Sequence, residues 1–255
     1  MAAPAAPRAR SVAVGAKLIL MSFASGCMDI LSYRQLGHVF TSAMTGNAAL
    51  LGLDLGQGKF PETTRNLAAF AGFLIGLGVG AVLLRRHPAE SGCSRVTSGC
   101  LLAEEALLIA FAAMWYFGAG PSSNWLLYGL IALSAIAMGM QSSAAQRIGV
   151  PGVATTYFTG TLTKIVLDAV GRVSSLAGKP PSGPIRWPAS AFLGYIAGAA
   201  LTGFLELQPK PLLAAAPAIE LPALPAIAIA VVLIIALADE VSGARRARQA
   251  KTAKR

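Results

Sequence analysis

Long apolar stretches, each close to the length of a membrane crossing, recur along the chain and constrain it more than any single motif does. Six are strongly apolar: residues 11–33, 66–84, 99–117, 125–145, 188–205 and 221–238. Two more, 39–55 and 153–170, are weaker and carry polar residues together with Gly. A membrane-spanning helix needs about 20 apolar residues, so the chain has room for roughly six to eight crossings plus loops. Of its 255 residues, 55% are hydrophobic and 13% charged. A soluble globular chain carries roughly 25% charged residues. The shortage of charge argues against an ordinary soluble enzyme, and the apolar content excludes disorder.

The net charge is +10, from 21 basic and 11 acidic residues. Its distribution argues against a nucleic-acid partner. Arg8, Arg10 and Lys17 open the chain, and Arg245, Arg246, Arg248, Lys251, Lys254 and Arg255 close it. Both groups flank apolar runs, as cytoplasmic membrane flanks do. Cys27 follows Ala24-Ser25-Gly26, but the apolar segment continues beyond it, so the first segment reads as a retained span.

Topology follows from the basic residues. If the two weaker segments do not cross, six spans place both termini inside, together with Arg85, Arg86 and Arg95. If all eight cross, that loop lies outside, against the positive-inside rule. The expected fold is therefore an all-α polytopic membrane bundle of six full spans plus two short Thr-Gly-broken segments. The expected organisation is a loose tail (1–10), a first membrane repeat (11–118), an outer hairpin turn (119–123), a second repeat (124–240) and a basic cytoplasmic tail (241–255). Trp115, Tyr116 and Trp125 bracket the uncharged turn, as interfacial aromatics do.

The two halves are read from repeated motifs. Ala69-Phe70-Ala71-Gly72-Phe73-Leu74-Ile75-Gly76 matches Ala191-Phe192-Leu193-Gly194-Tyr195-Ile196-Ala197-Gly198. Thr45-Gly46 with Asp54 matches Thr159-Gly160 with Asp168, and Gly37 matches Gly149, which sets Asp29 opposite Gln141. The separation between copies lengthens gradually along the chain, as small loop insertions produce. Three spans per half make this an inverted repeat, a construction common among secondary transporters. Four per half would make it a parallel one.

The same residues carry a family resemblance. Ser25-Gly26-Cys27-Met28-Asp29-Ile30-Leu31-Ser32-Tyr33, Gly37-His38-Val39-Phe40 and Met44-Thr45-Gly46-Asn47 resemble the first signature of the YoaK-type bacterial membrane proteins. Gly139-Met140-Gln141, Arg147-Ile148-Gly149-Val150-Pro151 and Thr159-Gly160-Thr161-Leu162-Thr163 resemble the second. The resemblance implies a multi-pass protein of the bacterial inner membrane. It supplies no substrate and no catalytic residue.

The chemistry must therefore come from the residues. Thr45-Gly46-Asn47 and Thr159-Gly160-Thr161 either line a path through broken helices or pack helices tightly through small residues. Thr156, Gly160, Lys164, Asp168 and Arg172 fall four apart on one helical face. Lys164 and Asp168 either pair inside the membrane or lie on a solvated amphipathic helix at its surface. Asp29 sits late in an apolar segment. An acid at mid-membrane costs about 2.5–3.5 kcal/mol, so it faces a cavity or partner, unless it lies at the outer interface. Glu104 and Glu105 divide in the same way between interface and proton relay.

Gly72, Gly76 and Gly80 form a ladder, repeated by Gly194 and Gly198. Such faces let helices touch backbone to backbone, and the two ladders are expected to pack on each other, within one chain or across a homo-oligomer. His38 and His87 are the only histidines, and no HExxH, Cys/His cluster, GxSxG or P-loop appears. No metal, cofactor or catalytic residue is expected, and the chain does not read as an enzyme. Two functions stand. One is a small secondary transporter of an unidentified solute, with Asp29, Asp54 and Asp168 as ion-coupling candidates and the Thr-Gly segments and Gln141 around a common centre. The other is a non-transporting membrane scaffold or assembly factor.

Overall fold

The computed structural model describes residues 7–85, 95–148, 158–173, 186–207 and 221–252. Among them there is no strand. The helices are α1 (Pro7–Gln35), α2 (Met44–Gly56), α3 (Phe60–Arg85), α4 (Arg95–Phe117), α5 (Asn124–Ile148), α6 (Phe158–Val173), α7 (Arg186–Glu206) and α8 (Leu224–Thr252), the last preceded by a 3-10 turn at Leu221–Ala223. Both expected tails are partly helical. Helix α1 already begins at Pro7, where the fixed φ of proline suits a first turn, and α8 runs on to Thr252 through the basic residues. Gly149, and with it the stretch through Thr156, lies outside the described residues, as do the side chains of Thr159, Lys164 and Asp168.

Five helices are long and apolar enough to cross a membrane: Val14–Gln35, Phe60–Arg85, Thr97–Phe117, Asn124–Arg147 and Trp187–Glu206. Helix α8 opens with a shorter apolar stretch, Leu224–Ala238. The surface bears this out. Leu74, Ile75, Val82, Leu102, Ile109, Leu193 and Ile196 are exposed, while Lys17, Ser22, Ser25, Asp29, Glu104 and Gln141 are buried. Apolar outside and polar inside suits lipid, not water. The 13 residues of α2 and the 16 of α6 span about 20 and 24 Å, short of a hydrocarbon layer about 30 Å thick.

Two parallel helix pairs dominate the bundle, α3 with α5 and α1 with α7. Along the first, Gly72 lies on Ala132 and Ala135, Gly76 on Ile136, and Gly80 on Met140 and Ser143. Along the second, Gly194 lies on Ile19 and Gly198 on Phe23 and Cys27, and the pair ends with Arg34 against Glu206. The fit is backbone to backbone. A Cβ on Gly76 would strike the Ile136 carbonyl oxygen, and one on Gly198 that of Phe23. From the other side, Gly139 meets the Phe73 carbonyl and Gly26 that of Tyr195.

The expectation that the two glycine ladders pack on each other is thus corrected. Each meets the first span of the opposite half, because α5 and α1 present their own glycines, Gly139 and Gly26, at the matching height.

Helix α4 turns back antiparallel on α5, with Gly118 beside Leu126 and the Cys100 thiol toward the Met140 carbonyl. Helix α8 packs on α1 and α4, α2 on α3, and α6 on α7. Gly37, just past α1, lies against Arg65 near the start of α3. Gln35 shares a pocket with Trp115, Tyr116 and the α4–α5 turn. The end of α1, the start of α3 and the end of α4 therefore share one end of the bundle, and α2 leaves from that end and returns to it.

Candidate functional site

Between α1 and α2 the chain folds back into the bundle. Gly37 and His38 take left-handed backbone angles, φ +80° and +63°, a region open to Gly and tolerated by His. That reversal turns residues 39–43 alongside the helix they have just left. Asp29, six residues before the end of α1 and fully buried, receives them. Its Oδ1 accepts the Thr41 amide at 3.0 Å and the Ser42 amide at 2.7 Å. Its Oδ2 accepts the Ser42 hydroxyl at 2.6 Å and the Tyr195 hydroxyl, from α7, at 2.8 Å. Six residues of helix rise about 9 Å, so the loop dips that far below the end of α1.

Asn47 closes the same loop. Its Oδ1 accepts the Phe40 amide at 2.7 Å, and its Nδ2 donates to the Phe40 carbonyl. The Phe40 ring stacks on Tyr33 with centroids 5.1 Å apart, and Gly46 leaves room for the same ring. Asp54, near the end of α2, accepts the Asn66 amide of α3 at 3.0 Å. Thr45 is exposed. The motif residues of the first half thus build a folded-back loop and its short helix.

Further buried polar side chains lie on α1, α4 and α5. Gln141 donates through Nε2 to the Met21 carbonyl at 2.9 Å and to the Ser25 hydroxyl at 2.7 Å. Its Oε1 has no partner, nor has the hydroxyl of Ser22. Glu104 is fully buried, and both of its carboxyl oxygens lack a hydrogen bond, as does Oε2 of Glu105. On α4, Glu104 shares its face with buried Cys100, Leu101, Leu108 and Phe111. Such orphaned atoms are rare in a folded interior.

The sequence-derived residues therefore separate. Asp29, Asn47 and Asp54 belong to the loop, and Gln141 to the α1–α5 contact. Thr161 is buried on α6, whereas Gly160 is exposed with nothing near it. Because α2 packs on α3 and α6 on α7, the two Thr-Gly segments are not gathered around a common centre. Each rides on its neighbouring long helix instead.

Tyr195 was the residue that sequence reasoning missed. It stands in the repeated motif where the first half has Phe73, as Asp29 stands where the second half has Gln141. A hydroxyl present only in the copy that faces the acid was the available signal.

Residues 17–237 match the family described as protein of unknown function DUF1275. The chain is also 34% identical, over 156 residues, to the UPF0700 transmembrane protein YoaK of Bacillus subtilis (strain 168), covering 61% of this chain and 67% of that protein. No solved structure matches it. By the extent of the first match, taken with the bundle of apolar helices, the chain belongs to the DUF1275 family and is a multi-pass membrane protein.

Proposed function

We propose that the chain is a small secondary transporter of the bacterial inner membrane, built as two inverted three-span halves with both termini in the cytoplasm. The cross-pairing supports the repeat. Exchange of α1 with α5, α3 with α7 and α4 with α8 turns the α1–α7 contact into α5–α3, and the α4–α5 contact into α8–α1. The shared end of α1, α3 and α4 supports six crossings, with α2 and α6 returning to the side they left. The basic end of α8 then lies in the cytoplasm.

The observation that carries the transport reading is the set of unpartnered polar atoms on Ser22, Glu104 and Gln141. They lie inside a lipid-facing bundle, on helices of both halves. Intramembrane polar groups are costly and mark solute or ion pathways. The path therefore runs along α1, α4 and α5, between the halves, and the Asp29 loop frames it from one end.

The test is osmotic swelling of proteoliposomes in iso-osmotic sugars, amino acids and carboxylates. Transport predicts swelling in at least one class, reduced by Gln141→Ala in protein that still elutes as a single species. Absence of swelling in every class, or swelling indifferent to Gln141, removes the reading. A static scaffold is the second reading. It is favoured by the four donors on Asp29 and by the glycine-to-backbone fit of both helix pairs.

A further inference from the structure

We infer that Glu104 is a proton-binding site within the membrane. It is fully buried and neither carboxyl oxygen has a hydrogen-bond partner. An ionised carboxylate without donors or a counter-charge is the most costly state a side chain can adopt in an apolar interior. A bound proton removes that charge without requiring a coordination shell. A metal cation is a poorer occupant, because it needs several oxygen ligands around it, whereas the α4 face beside Glu104 carries Leu101, Leu108 and Phe111.

Among the described residues, the helices that pack on α4 give this carboxyl no ionic partner. The described residues of α8 from Leu224 to Ala238 are all apolar. Helix α5 carries its titratable groups near its ends, Tyr128 and Arg147, and α3 does the same with Glu62, Arg65 and Arg85. On α4 itself the ionisable neighbours are Cys100, one turn away, and Glu105, adjacent in sequence but turned to a different face.

The reaction is reversible transfer of one proton from hydronium to one carboxylate: an O–H bond of hydronium breaks, an O–H bond forms on the carboxyl group, and water is left. Glu105, slightly less buried and with one unpartnered oxygen of its own, is the nearer of the two to the bundle surface. The use of this proton to drive transport rests on the function proposed above. The proton site itself does not.

Infrared spectroscopy of the protein in lipid at neutral pH tests the site through the C=O stretch of a protonated carboxyl. The wild type and Glu105→Gln should show this band, and Glu104→Gln should lose it. Three outcomes overturn the proposal: no band in the wild type, an undiminished band in Glu104→Gln, or a wild-type band abolished by sodium or potassium ions at constant pH. Carbodiimide labelling of the wild type, mapped by mass spectrometry, keeps the test independent of whether the variant folds. A protonated Glu104 forms an acylurea there, and a chain labelled elsewhere but never at Glu104 refutes the site. If the band behaves as expected while no solute moves, the proton site stands and the transporter reading falls.

Discussion

Replacing Asp29 separates an anchoring carboxylate from an ion-coupling one. In Asp29→Ala the amides of Thr41 and Ser42 lose their acceptor in a buried loop. Each stranded donor costs about 1–3 kcal/mol, so the pair loses about 2–6 kcal/mol. In Asp29→Asn the remaining oxygen keeps both amides. The new Nδ2 group donates to the hydroxyls of Ser42 and Tyr195, which accept as readily as they donate. With these two hydroxyl contacts reversed rather than lost, the cost is about 1 kcal/mol in all. Thermal unfolding in detergent, followed by a fluorogenic maleimide reacting with the buried thiols of Cys27 and Cys100, reads both values. Asp29→Ala should lower the midpoint at least twice as far as Asp29→Asn, and Asp29→Asn should retain whatever flux the wild type shows. Equal losses from the two variants, or a fully stable alanine variant, would refute the anchoring role.

Three further outcomes follow from the geometry. Gly76→Leu and Gly198→Leu push a side chain into the backbone of the partner helix and should cost at least the 1–3 kcal/mol typical of overpacking, seen as lost monodisperse yield. Gly78→Leu and Gly203→Leu, with open space around them, serve as tolerated controls, and equal yields from all four would end the packing argument. Asn47→Ala strands the Phe40 amide and should cost about 1–3 kcal/mol, measured by the same thiol-reactivity melt; an unchanged midpoint contradicts the loop closure described. In a chain with its own cysteines replaced, a cysteine at Ser122 should react with an impermeant maleimide in intact cells, and one at Arg248 should not. The reverse pattern inverts the proposed orientation.

Helix positions and the lipid-facing character were legible in the sequence because they follow from local composition. The spans at 66–84, 99–117, 125–145 and 188–205 lie inside helices α3, α4, α5 and α7, and the weak segments became the two short helices. Partnership was not legible. Gly76 announces a close approach but not to whom, since Ile136 is chosen by the fold as a whole. Asp29 announced itself as an acid in an apolar run. Its donors, however, come from a loop whose reversal depends on two left-handed residues and from a tyrosine 166 positions away. For Glu104 the sequence leaves interface and relay both open, and only the packing of the bundle shows its full burial.

The parallel pairing of α1 with α7 and of α3 with α5 carries a mechanical consequence. The first long helix of the chain is seamed to α7 and the second to α5, so helices far apart in sequence are held as pairs. The glycine seams weld the two helices of each pair into a common rod. Any opening of the molecule must then part the α1–α7 rod from the α3–α5 rod, which are joined where Gln141 of α5 hydrogen-bonds Ser25 of α1.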